Sequence, residues 1–68
     1  MSCKFTVIIQ KEEDWHVAKC LENGIASQGK TIEESIQNLK EAIELYYEDH
    51  VPQLFVSPAF VTTLEVAI

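Results

Sequence analysis

Residues 27–43, Ser-Gln-Gly-Lys-Thr-Ile-Glu-Glu-Ser-Ile-Gln-Asn-Leu-Lys-Glu-Ala-Ile, describe a tight turn that feeds a capped amphipathic helix. Gly29 can supply a positive φ and end a strand abruptly. Thr31 and Glu34 have capping-box spacing: the Thr hydroxyl accepts from the N–H three residues on, and the Glu carboxylate reaches back to the N-cap N–H. Apolar residues then recur at Ile32, Ile36, Leu39, Ile43 and Tyr46, which is one stripe of a 3.6-residue helix. Glu33, Lys40, Glu41, Glu44 and Glu48 make up a solvated face. The helix is expected from about Thr31 to Asp49, because Pro52 disfavours helical geometry at Val51.

Upstream, residues 3–10 alternate as a strand, with Phe5, Val7 and Ile9 on one face and Lys4, Thr6, Ile8 and Gln10 on the other. Residues 11–14 form a polar turn, and residues 15–21 resume as an antiparallel partner. Asn23-Gly24 is a strong hairpin signal and leads into a short third strand from Ile25 to Gln28. After the helix, residues 52–59 are a loop holding the apolar run Leu54-Phe55-Val56. Residues 60–68 are rich in strand formers and predict a fourth strand, with Phe60, Leu64, Val66 and Ile68 on one face. The order β-β-β-α-β gives an α+β domain over residues 1–68. Counting directions makes the last strand parallel to the first, in a four-stranded sheet of order 3-2-1-4 with the helix on one face.

Sixty-eight residues form one small domain with a modest core. The chain carries 11 acidic and 5 basic residues, a formal charge of −6. It has no Lys/Arg cluster to read phosphates, so direct nucleic-acid binding is not expected. The acidity suits a basic protein partner or simple solubility. With no apolar run near 18 residues and no signal-peptide pattern, the expectation is a cytoplasmic protein. Cys3 and Cys20 are then expected as reduced, buried small hydrophobes.

The hairpin ending near Trp15-His16-Val17-Ala18, the turn at Asn23-Gly24, and Ser27-Gln28-Gly29-x-Thr31-x-Glu33-Glu34-x-x-x-Asn38-x-Lys40-Glu41-Ala42-Ile43 together resemble the HicB-like antitoxins. The resemblance covers roughly residues 4–50. It implies a partial ribonuclease-H-like fold, in agreement with the element order. It also implies neutralisation of a small, basic, mRNA-cleaving toxin by protein–protein binding, without enzymatic activity. Many members carry a C-terminal DNA-binding domain, and this chain ends at Ile68, directly after the fourth strand. Ser35 stands where the family usually has Ala, and Glu22-Asn23 where it often has Leu-Pro.

No nuclease constellation is legible. A ribonuclease-H-like enzyme holds two metal ions on strand and helix carboxylates, and the first strand has no acid between Cys3 and Gln10. Cys3, His16, Cys20 and His50 lack ligand spacing for zinc. No catalytic residue, metal or cofactor is therefore expected. Asn38 lies mid-helix, where its amide suits either a partner contact or, the preferred reading, a hydrogen bond to a loop backbone that holds the helix to the sheet. Trp15 is either a half-buried cap on the sheet edge or an interface anchor. A sheet with one helix leaves one face uncovered. That face, with Leu54, Phe55 and Val56, predicts a homo-oligomer, a dimer being the simplest. The rival to an antitoxin is a homo-oligomeric binding module for a peptide or small molecule.

Overall fold

The computed structural model describes residues 3–48 and 59–68. Three strands form an antiparallel sheet of order β1-β2-β3, with β1 over Val7–Glu12, β2 over Trp15–Cys20 and β3 over Ala26–Gly29. Helix α1 spans Ile32–Tyr46 and packs mainly on β3 and β2. The expected order of the first three strands is observed. Residues 59–68 form no strand and pair with none of the described ones. The expected fourth strand is thus not formed in this structure, and Leu54, Phe55 and Val56 lie outside the described residues.

Register follows the alternation. Val7 pairs with Cys20 and Ile9 with Ala18, which puts Phe5, Val7 and Ile9 on the helix side of the sheet. The first strand runs later than its apolar pattern suggests. It continues through Lys11 to Glu12, and a two-residue turn at Glu13-Asp14 closes the hairpin. Glu13 has φ 53, a left-handed conformation that short hairpin turns impose. At the second turn Gly24 has φ +74, and the Asn23 side-chain oxygen accepts from the Ile25 N–H at 2.9 Å.

Gly29 does something other than supply a positive φ. A Cβ built there would lie 2.6 Å from the Ser35 backbone nitrogen and 2.8 Å from the Glu34 carbonyl carbon. Only a residue without a side chain lets the first turn of α1 lie directly on the end of β3. Ser35, buried opposite, is small enough to share that space, and its hydroxyl donates to the Ile32 carbonyl at 2.7 Å.

This close approach also turns the helix. The face buried on the sheet is Ser35 and Leu39, flanked by half-buried Asn38, Ala42 and Ile43. The periodic stripe is therefore only partly core: Ile32, Ile36 and Tyr46 are exposed. The fully buried apolar residues are Ala18, Cys20 and Leu39, with Phe5, Ile9, Ile25 and Ile43 packed around them. Cys20 is buried as expected, whereas Cys3 is exposed because β1 begins only at Val7.

Thr31 is the N-cap. Its hydroxyl accepts from the Glu34 N–H at 3.0 Å. The Glu34 carboxylate reaches one residue further back than the capping-box pattern, accepting from the Lys30 N–H at 3.2 Å. The helix closes at Tyr47, which stacks on Phe5 with ring centroids 6.1 Å apart and ties the helix end to the start of β1.

Two substitutions separate these effects. Thr31→Ala should lower unfolding free energy by about 1 kcal/mol through the lost cap. Gly29→Ala should cost more, about 2–3 kcal/mol, because the atoms it meets are backbone and must move. Urea melts of both variants against wild type check the ranking. A Gly29→Ala midpoint equal to wild type would show that helix and strand are not held in contact.

Candidate functional site

Two surfaces on α1 stand out, one apolar and one acidic. The apolar surface is a groove of about 590 Å³ between the start of β1 and the helix, lined by Cys3, Phe5, Val7, Ile36, Leu39, Lys40, Ile43 and Glu44. It exists because α1 sits over β3 and β2 and leaves the helix side of β1 uncovered. Ile36, 45% exposed, and Val7, 36% exposed, form its walls.

The acidic surface is a shallow depression of about 370 Å³ at the C-terminal end of the helix, lined by Glu41, Glu44, Leu45 and Glu48. Steps of three and four residues stack these side chains on one face. The last turn holds no basic residue. Glu44 and Glu48 therefore sit at the end of the helix where the macrodipole is already negative, an unfavourable placement for carboxylates. Leu45, 70% exposed, lies among them.

The two sheet edges differ in chemistry. On β3 the Gln28 carbonyl accepts from Asn38 Nδ2 at 2.9 Å, which ties the helix to that strand. This is the tethering role expected of Asn38. Nearby, His16 Nδ1 lies 3.2 Å from the Lys30 carbonyl oxygen, which accepts from it. On β1 the outer edge faces no other described strand.

Trp15 sits at the tip of the first hairpin, 40% exposed, with the Lys30 ammonium 6.0 Å from its ring centroid. That contact fits a weak cation–π pairing and places Trp15 at the β3 end of the molecule, away from the groove. Thr31 and Glu34 form the helix cap next to Lys30. The sequence pattern gave no sign of Cys3, Lys40 or Tyr47 at a surface of interest. Tyr47 closes the far corner, where its hydroxyl lies 3.5 Å from Asn23 Nδ2, which donates to it.

Among the described residues, no three of His, Cys, Asp and Glu come together in a group able to hold a metal ion. His16 and Cys20 point to the same side of β2, and His16 is already engaged with the Lys30 backbone. Among the described residues no helix is long and apolar enough to cross a membrane.

The Glu22 carboxylate is held below its ordinary pKa, chiefly because it accepts from the Thr6 N–H at 2.7 Å. Cys20 Sγ also donates to it, at 3.5 Å. This bond fastens the segment before β1 to the turn after β2.

The described residues form a small α+β module with an apolar groove beside β1 and an acidic end on α1. The chain belongs to a family described as of unknown function, DUF7387, whose model matches residues 4–53. It is 45% identical over 51 residues to the UPF0150 protein ssr1765 of Synechocystis sp., covering 72% of this chain and 65% of that relative. It is 46% identical over 43 residues to a UPF0150 protein of Helicobacter pylori, covering 62% of this chain and 60% of the relative. A UPF0150 protein of Archaeoglobus fulgidus is 43% identical over 47 residues, covering 66% and 68%. The chain thus spans less than two thirds of the length of the first two relatives. No solved structure matches the chain.

The Glu22 contact has a pH signature. A carboxylate with a lowered folded-state pKa adds stability above its unfolded value and loses that contribution as pH falls through the folded one. Wild-type thermal stability should therefore drop more steeply below pH 4.5, the group's ordinary value, than that of Glu22→Ala. Parallel slopes for the two proteins across the acid limb would show that the Thr6 contact is not formed in solution.

Proposed function

We propose that the chain is a HicB-like antitoxin, or a stand-alone relative of one, that neutralises an RNA-cleaving toxin by binding it. The observation that carries this reading is the acidic end of α1. Glu41, Glu44 and Glu48 surround exposed Leu45 at the negative pole of the helix, with no basic residue in the last turn. Such a placement weakens an isolated helix and is relieved when a cationic surface docks there. A small basic RNA-binding toxin presents that surface. The motif resemblance over residues 4–50 supports the same conclusion. In this reading the protein is cytoplasmic, has no catalytic role of its own and binds no nucleic acid directly.

The four-stranded, partial ribonuclease-H-like form is part of this reading. It requires residues 60–68 to add to the β1 edge in the order 3-2-1-4, over the groove lined by Phe5, Val7 and Ile36. A peptide-binding module is the second reading, favoured by the same apolar groove, and it would place the ligand where the fourth strand belongs.

Co-expression with the adjacent reading frame, followed by affinity purification of this chain, tests the function. The two proteins should co-purify, and the complex should weaken with added salt. A Glu41→Gln, Glu44→Gln, Glu48→Gln triple variant should remain folded and lose affinity by about tenfold or more. Absence of a complex with the wild-type chain would end the antitoxin reading. Unchanged affinity of the triple variant would move the contact elsewhere on the surface.

A further inference from the structure

We propose that residues 3–6 are a hinged strap, latched by the Glu22 carboxylate, whose transient opening widens the groove beside β1 and uncovers the buried thiol of Cys20. The inference concerns a movement built into the fold and is independent of toxin binding.

The strap lies outside the sheet ladder. Pairing of β1 with β2 begins at Val7, opposite Cys20. One step upstream, the Leu21 N–H donates to the Thr6 carbonyl at 2.9 Å. In a continuing antiparallel ladder such a pair exchanges two bonds, and the Thr6 N–H would reach the Leu21 carbonyl. It donates instead to the Glu22 carboxylate at 2.7 Å, because β2 ends at Cys20 and the chain turns through Leu21, Glu22 and Asn23. A side chain stands where a backbone partner would otherwise be.

That substitution makes the joint releasable. Glu22 is exposed, so water can take over its oxygen and the Thr6 N–H when the side chain rotates. Val7, where the ladder starts, is the hinge. Upstream of it Cys3 and Lys4 are exposed, and the apolar grip is Phe5, which stacks on Tyr47 and packs against the buried set of Ala18, Cys20 and Leu39. A segment held by exposed hydrogen bonds and one apolar side chain opens locally at a free energy below that of global unfolding.

The place of the strap gives its opening two consequences. Cys3 and Phe5 form one wall of the groove of about 590 Å³, facing Ile36, Leu39 and Ile43 of α1. Moving them changes the width of the groove while β1 and the helix stay in place. Cys20 lies under the same segment: it is fully buried, Phe5 packs on its cluster, and its Sγ donates to the same Glu22 carboxylate at 3.5 Å. One carboxylate thus holds both the strap and the thiol beneath it.

Cysteine labelling of the full chain with dithionitrobenzoate reads the opening. In a Cys3→Ser background Cys20 is the single remaining thiol. Adding Glu22→Ala should raise its labelling rate by about tenfold or more, with faster exchange of the Thr6 amide and little change at the Leu39 amide of α1. Labelling of Cys20 at the unaltered rate, or a rise matched by Leu39 exchange, would overturn the strap. A second measurement keeps Glu22: at low urea the labelling rate in Cys3→Ser alone should not depend on urea, the mark of local opening. A steep urea dependence from zero upward would mean that global unfolding is what exposes the thiol, and would equally overturn it.

Discussion

The contact between Gly29 and the first turn of α1 is the constraint on which the rest of the structure depends. Backbone meets backbone there: a Cβ at Gly29 would fall 2.6 Å from the Ser35 nitrogen. With the helix N-terminus pressed onto the end of β3, its axis is committed to β3 and β2. Ser35 and Leu39 become the buried face, and the Thr31 cap and the Asn38 tether both act at that same end. Tyr47 against Phe5 fixes the other end. The helix is thus pinned at two corners of the sheet, and its lateral position has little freedom.

That position distributes the remaining chemistry. Displacing α1 toward β3 uncovers the helix side of β1 and turns Ile36 out of the core, which produces the groove. The acidic residues then fall around the C-terminal end of the same helix, next to the groove but not within it; Glu44 borders both surfaces. One helix therefore separates an apolar groove from a charged face.

The DUF7387 family match covers the core from the start of the hairpin to the end of the helix. The β3-to-helix corner lies inside that stretch, as does the acidic helix end. Residues 60–68 lie beyond the family match, so the fourth-strand reading rests on this chain's own sequence pattern. The antitoxin reading likewise rests on local motif and electrostatics.

Short-range physics made much of this protein legible in its sequence. Strand alternation, the Asn23-Gly24 turn, the Thr31 cap and the Asn38 tether each depend on residues close in the chain or on the strong preference of one side chain, and each is observed. Close approach and positive φ leave the same glycine in the sequence, so the role of Gly29 is decided only by the helix lying on the end of β3. Periodicity could predict an apolar stripe but not which half would be buried. Ile32, Ile36 and Tyr46 repeat as regularly as Leu39, and only the angle at which the helix meets the sheet separates them. Cys3 was likewise assigned to a strand on pattern, whereas ladder pairing begins at Val7. The sequence by itself determined the local elements and the charge, since both are set by neighbouring residues and composition. Tertiary structure alone decided the groove and the contact of α1 with β3, because each is created by where one rigid element comes to rest against another.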